Sequence, residues 1–296
     1  MRVPEFKQYS DHEGFSARVL DYLLVQETAN NILLSMLHDP KVSPVGPSDA
    51  ADILTCLVER EGRPVFVAAR RPGFYLVVAG EADADVVECA CEGVAGLSER
   101  VEGVIGPRRI VELFADRYTR IYNANVRVEM EQLIYEIRSI NPGLKAADGS
   151  LRVANPSDTP LLIEWFQRFQ IDIGSPRSIE SARERVFHMV ARKSAYLWMS
   201  GDEPVSLATH SRSTRCVAAI SGVYTPPKFR NRGYATACVS SLAARLLGSG
   251  FKSCCLYTDA NYPTSNRIYR RIGFRQVERS IVYRFNEGGF VHEEVR

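Results

Sequence analysis

Residues 216–247 constrain this chain more than any other stretch. "AAISGVYTPP" (218–227) reads as the end of a strand over 216–225, stopped by Pro226 and Pro227, neither of which has an N–H to continue a ladder. "KFRNRG" (228–233) then sets Lys228, Arg230 and Arg232 around Gly233. After it, Ala235, Cys238, Val239, Leu242 and Leu246 fall on one face of a helix. Such a face needs a sheet to cover, and once covered it holds the helix start in place. Unpaired N–H groups and the helix dipole together make that start attractive to an anion such as phosphate. The plainer reading is a solvated turn before an ordinary helix.

Charge is distributed to match the first reading. From Leu207 to Arg284 there are thirteen Lys or Arg against two acids, Asp259 and Glu278, an excess of +11; with a net charge of +2, the remainder carries −9. The basic part suits an anionic ligand, and the acidic remainder would steer a cationic partner. No nucleic-acid motif accompanies the basic residues, so a small phosphate-bearing ligand fits better than nucleic acid. No run approaches the roughly 20 apolar residues that span a bilayer, and the N-terminal residues lack the apolar core of a secretory signal. The expectation is a cytoplasmic protein with no membrane contact. Seven cysteines, at 56, 89, 91, 216, 238, 254 and 255, have neither a disulfide-framework nor a zinc-site spacing, and read as reduced thiols in the core with no metal.

Patterning divides the chain in two. Residues 17–38 read as helical, 53–80 as three strands separated by "EGRP" and "RRPG", 83–98 as a helix, 104–122 as a turn and a helix, and 125–137 as a long strand. "NPGLKAADGS" (141–150) is polar and turn-rich, which puts the domain boundary there, giving domains 1–145 and 146–296. The second half reads as strand 151–155, helix 157–169 with Ser157 as N-cap, helix 178–192, strands 194–200, 204–211 and 216–225, the helix after Gly233, strand 252–259, helix 263–273 and strand 277–285. That order, β-α-α-β-β-β-α-β-α-β, is an α/β (α+β) fold: mixed, mostly antiparallel sheets flanked by helices.

A second chemistry-bearing stretch is "TDANYPTSNRIYRRIGF" (258–274). Ser265 and Tyr269 share a helix face, Asn261 and Asn266 bring amides to the helix start, and Arg267, Arg270 and Arg271 add charge. Taken together the two stretches resemble the GCN5-related N-acetyltransferase (GNAT) superfamily. The signature R/Q-x-x-G-x-G/A has its elements in Arg230, Gly233 and Ala235, between a strand and a helix; the signature N-x-x-S/A-x-x-x-Y-x-x-x-G-F has its elements in Asn261, Ser265, Tyr269, Gly273 and Phe274. The likeness covers roughly residues 151–285. The first half looks like a degenerate copy of the same fold without either signature, as in tandem members of the superfamily, and is not expected to bind CoA; its "GVIGP" (103–107) reads as a packing turn.

The resemblance implies an acetyl-CoA-dependent N-acetyltransferase that passes acetyl directly, in a ternary complex, to a primary amine of a small molecule or peptide, as a monomer or homodimer. It places the cofactor pyrophosphate on the backbone N–H groups of Arg230, Asn231, Arg232, Gly233, Tyr234, Ala235 and Thr236. The main chain of Val223, Tyr224 and Thr225 and the side chain of Asn261 would meet the pantetheine arm. Ser265, Asn266 and Arg267 would lie near the nucleotide, and Tyr269 would protonate the departing thiolate. Residues 216–225 carry no acid, so the general base is left open between Asp259, His210 and ordered water. A CoA-binding module without turnover is the alternative.

Overall fold

The computed structural model describes residues 3–38, 53–97, 100–176 and 178–286. Among these residues the chain forms twelve strands and eight α-helices and divides into two compact units, Met1–Leu133 with Glu278–Arg296, and Ile134–Val277. The first unit contains β1 (Glu5–Tyr9), α1 (His12–Leu24), α2 (Asn31–His38), β2 (Leu54–Arg60), β3 (Arg63–Arg70), β4 (Leu76–Gly80), α3 (Ala84–Ala95), β5 (Gly103–Pro107) and α4 (Arg108–Tyr122). β6 (Asn125–Ile137) carries the chain from one unit to the other. The second unit contains β7 (Ser150–Val153), α5 (Thr159–Asp172), α6 (Ile179–Ala191), β8 (Ala195–Ser200), β9 (Glu203–Ser211), β10 (Val217–Tyr224), α7 (Tyr234–Gly248), β11 (Ser253–Asp259) and α8 (Pro263–Ile272). β12 (Arg275–Asn286) follows.

Each unit uses the same strand plan. In the first the order is β1-β2-β3-β4-β5-β12; in the second it is β7-β8-β9-β10-β11 with the end of β6 beside β11. Four antiparallel strands lead in each case to a fifth that lies parallel to the fourth. Parallel neighbours need a crossover, which α3 and α7 supply. The expected fold class is the observed one, α/β with two repeats of a mixed, mostly antiparallel sheet. The sequence boundary at 145/146 falls inside the second unit. β12, read with the second half, pairs instead with β5, from Ser280 opposite Pro107 to Arg284 opposite Gly103.

Two strands escaped the sequence reading, β1 and β5. "GVIGP" is a strand, not a turn, although its glycines do serve packing. A Cβ on Gly103 would stand 2.3 Å from the Tyr283 carbonyl, and one on Gly106 would stand 2.4 Å from that of Val78. Neighbouring backbone takes the room that side chains would need, so a strand of low β-propensity is selected by close approach. Ser157 is not the N-cap it was read as. Asn155 caps a short 3-10 turn, Pro156–Asp158, that leads into α5, and Asp158 completes the capping box.

In the second unit α5 and α6 bring Leu162, Trp165, Phe166, Ala182 and Val186 against Leu197, Leu207 and Tyr224. The adjacent cysteines show how the other face is used. Successive strand residues point to opposite sides: the Cys254 thiol meets the Ala243 carbonyl of α7 at 3.8 Å, whereas Cys255 joins Val217 and Ala219. None of the seven cysteines forms a disulfide; five are buried, and Cys89 and Cys216 are half-buried. Burial pushes the thiols of Cys56, Cys91, Cys238 and Cys254 up to about 12.

In the first unit Glu59 ties three elements together. It is 5% exposed on β2, and its carboxylate accepts from Lys7 Nζ of β1 at 2.7 Å and from Arg18 Nε of α1 at 2.6 Å. The Lys7 ammonium, with Arg18 beside it, holds the Glu59 carboxyl below the usual carboxylate range against the opposing pull of burial. A lowered folded-state value adds stability above the unfolded value of about 4.3, and that contribution fades as the pH falls through the folded value. Glu59→Gln is expected to cost about 2 kcal/mol at neutral pH. The difference from wild type should shrink below about pH 4, as read by urea unfolding across that range.

Candidate active site

The site begins where two strands part. β10 and β11 run parallel and are paired through Val217–Ser253, Ala218–Cys254 and Ala219–Cys255. Beyond these pairs β10 stays with β9 through Ile220–His210 and Ser221–Thr209, then shifts register in a bulge to Tyr224–Leu207. Gly222 in the bulge has φ +56°, and a Cβ there would press on Thr209 Oγ1 at 3.0 Å. β11 continues to Asp259 without β10. The result is a wedge between the carboxyl ends of two parallel strands, the place where open α/β sheets hold ligands.

Val223, Tyr224 and Thr225 form one wall of the wedge. The Tyr224 carbonyl accepts from Ser206 Oγ at 3.2 Å, and Ser206 Oγ also lies 2.8 Å from Thr225 Oγ1. Tyr224 is buried edge-on against Trp165 of α5, ring centroids 6.1 Å apart. A single 3-10 turn, Pro227–Phe229, carries the chain to the basic loop. There Asn231 (φ +64°) and Gly233 (φ +80°) are both left-handed, and α7 starts at Tyr234 with no side-chain cap and no acid in its first turn. These two left-handed residues turn the backbone from the 3-10 turn into α7, whose first N–H groups carry no side-chain acceptor. Arg232 is exposed, Tyr234, Ala235 and Thr236 supply the first-turn N–H groups, and Tyr234 Oη lies 3.4 Å from Ser200 Oγ. The Arg230 side chain is engaged inside the protein: Nε donates to the Thr225 carbonyl at 3.0 Å and Nη2 to Asp172 Oδ2 at 2.6 Å.

Across the wedge, β11 turns into α8. Asn261 stands one residue farther from Ser265 than the N-x-x-S spacing asks. It is exposed, and its N–H donates to Asp259 Oδ1 at 2.7 Å. Ser265 Oγ lies 3.0 Å from both the Tyr262 carbonyl and Thr258 Oγ1. Asn266 is 2% exposed, and its Nδ2 donates to the carbonyls of Asp259 and Tyr262 at 2.9 and 3.0 Å. Its amide nitrogen therefore closes the turn, and its Oδ1 is buried without a hydrogen bond among the described residues. Arg267 is exposed on α8. Tyr269 is buried between Tyr135 and Phe274, with ring centroids at 6.3 and 6.0 Å, and burial raises its phenol pKa.

Comparison with known proteins bears on the fold. The FR47-like protein family model matches residues 199–282. An acetyltransferase of the GNAT family from Colwellia psychrerythraea aligns over 95% of this chain and 99% of its own, with 13% identity and TM-score 0.54. A GCN5-related N-acetyltransferase from Sphaerobacter thermophilus aligns over 94% and 95%, with 17% identity and TM-score 0.60. A tandem GNAT protein from the clavulanic acid biosynthesis pathway aligns over 97% and 99%, with 10% identity and TM-score 0.56. No curated protein matches the sequence. These solved structures share the fold of this chain, which repeats the GNAT architecture in its two units.

Its two GNAT folds differ at the helix that follows the fourth strand. In the second unit α7 opens on uncapped N–H groups. In the first, α3 opens on Asp83, whose carboxylate accepts from the N–H groups of Asp85 and Val86 at 3.1 and 3.2 Å and pairs with Arg60 at 3.2 Å. A built-in anion thus holds those donors. The Arg60 guanidinium, and after it the Val86 N–H, keep the Asp83 carboxyl below its usual value. The parallel ladder of β4 and β5 is itself short, Leu76–Val104 and Val77–Ile105, and just beyond it the Val78 backbone lies against Gly106.

The candidate bases differ in surroundings. His210 Nε2 is 2.6 Å from Ser213 Oγ, its ring lies edge-on to Phe251, and burial lowers its pKa. Asp259 stands at the end of β11, inside the wedge-side turn. The sequence reading missed a hydroxyl chain on the β9–β10 pair: Ser221 Oγ lies 3.0 Å from Thr209 Oγ1 and 2.9 Å from Ser211 Oγ. Only strand register brings these three residues together, so local pattern held no signal of it. Among the described residues no group of His, Cys, Asp and Glu could hold a metal ion, and no helix is long and apolar enough to cross a membrane.

Gly233 tests the loop geometry. A Cβ there would meet the Ala147 Cβ at 3.7 Å, an ordinary contact, so the cost of a side chain is its backbone conformation. Gly233→Ala is expected to lower stability by about 1 kcal/mol, a modest shift in the urea midpoint with the circular dichroism spectrum retained.

Proposed function

We propose that this chain is an N-acetyltransferase that binds acetyl-CoA in the second unit and passes the acetyl group directly to a primary amine of a small molecule or peptide. The observation that carries the reading is the wedge between β10 and β11 opening beside an uncapped, basic α7 start. A pyrophosphate needs clustered N–H donors without a competing carboxylate, and the loop from Arg230 to Thr236 offers them. The thioester supplies an activated acyl group. The residues of the chain orient it: main-chain groups of Val223, Tyr224 and Thr225 on one side and Asn261 on the other, with Ser265, Asn266 and Arg267 on the nucleotide side. For Asn266 the role is to shape the turn, because its Nδ2 is spent on backbone carbonyls. The first unit is read as a scaffold that does not hold CoA, since Asp83 caps α3 where a phosphate would sit.

Proton management follows from the polar groups at hand. Attack by a neutral amine expels a thiolate, and Tyr269 is assigned as the proton donor. A phenol raised by burial stays protonated through neutral pH and is available to donate. The amine's own proton goes to Asp259 at the carboxyl end of β11, to His210, which burial holds low and which packs on Phe251 before the start of that strand, or to ordered water. The absence of any carboxylate on β10 favours a second reading, a CoA-binding module without turnover.

Two measurements test these assignments. Arg230→Ala combined with Gly233→Glu should abolish CoA binding in calorimetry while the protein stays folded; unchanged affinity defeats the phosphate-loop assignment. Tyr269→Phe keeps the ring and removes the proton donor, so kcat should fall about 100-fold with CoA affinity nearly constant. A panel of cationic, neutral and anionic amines with acetyl-CoA separates the enzyme from the binding module: acetylated product supports the first, CoA binding with no product across the panel the second.

A further inference from the structure

The signature arginine is held by a residue far away in sequence. Asp172 is the last residue of α5, at the negative end of the helix dipole, where a carboxylate is disfavoured unless a cation offsets it. Arg230 is that cation: Nη2 meets Asp172 Oδ2 at 2.6 Å while Nε of the same guanidinium donates to the Thr225 carbonyl at 3.0 Å. One planar fork thus spans from α5 to the exit of β10. The guanidinium also lies 6.0 Å from the Tyr224 ring centroid, and Tyr224 in turn meets Trp165, one face of α5. With its fork engaged, Arg230 has its side chain turned to the protein, and its contribution to an anion site runs through the position of its main chain.

We infer that Asp172 is a positioning residue for the cofactor loop: through Arg230 it fixes the first residue of the Arg230–Thr236 loop and so sets CoA affinity. The inference rests on the acetyl-CoA reading above. Both side chains are about half exposed, 41% for Arg230 and 46% for Asp172, so the pair contributes little to global stability and its effect is local.

The test is a double-variant cycle on the full chain, read by calorimetric CoA affinity, by KM for acetyl-CoA against kcat, and by thermal melting. Asp172→Asn is expected to weaken CoA binding and raise KM about 5- to 10-fold. The effect on kcat should be under about twofold and the melting shift under about 2 °C. Asp172→Glu should recover most of the affinity. Arg230→Gln should weaken binding, and adding Asp172→Asn to it should cause no further loss, because the two act through one contact. CoA affinity unchanged in Asp172→Asn, or losses that multiply in the double variant, overturns the positioning role while leaving the acetyl-CoA reading intact. No CoA binding by the wild-type chain overturns both.

Discussion

The parting of β10 from β11 is the constraint on which the second unit's site depends. After Ala219 and Cys255 the two strands stop pairing, and β10 follows β9 through a bulge at Gly222. A parallel pair that stayed bonded to its ends would leave no wedge, and the loop after β10 would lead into α7 with nothing beside it. The bulge is held by hydroxyls rather than by packing alone: Thr209 Oγ1 takes Ser221 Oγ, and Ser206 Oγ bridges the Tyr224 carbonyl and Thr225. Small polar side chains on β9 therefore stabilise backbone that has left the regular ladder, satisfying groups that burial would otherwise leave costly.

The same strand plan in the first unit ends in a differently furnished helix start. There the helix after the fourth strand carries its own carboxylate cap, and the fourth and fifth strands approach so closely that Gly106 is required. Two copies of one fold thus hold different contents at equivalent places because of a few residues: Asp83 against Gly233 at the helix start, and glycines in β5 where β11 has larger side chains. Fold alone does not confer a site, which depends on the donors left unpaired.

Much of this was legible locally. The strand stopped by two prolines, the basic loop and the amphipathic helix after Gly233 appear in the structure as read, as do the three strands over 53–80 and the helix over Pro263–Ile272. Those elements carry strong periodicity or clear stop signals. β5 was missed because a five-residue segment with two glycines and a proline has no strand signature of its own. Its identity comes from neighbours that take the space of its missing side chains. The N-cap at Asn155 was missed because a 3-10 turn precedes α5 and moved the cap two residues upstream of the one read.

By itself the sequence determined the order of elements in the second half and the position of the basic loop, since these depend on contacts within a few residues. Tertiary structure decided the rest. It assigned β12 to the first unit by pairing it with β5, and brought Asp172 to Arg230 and Ser221 to Thr209 and Ser211. Each of these joins residues whose separation along the chain carries no periodic signal. Strand register and helix docking bring them within hydrogen-bond reach, and neither can be read from local pattern because both are set by burial of faces against partners elsewhere in the chain.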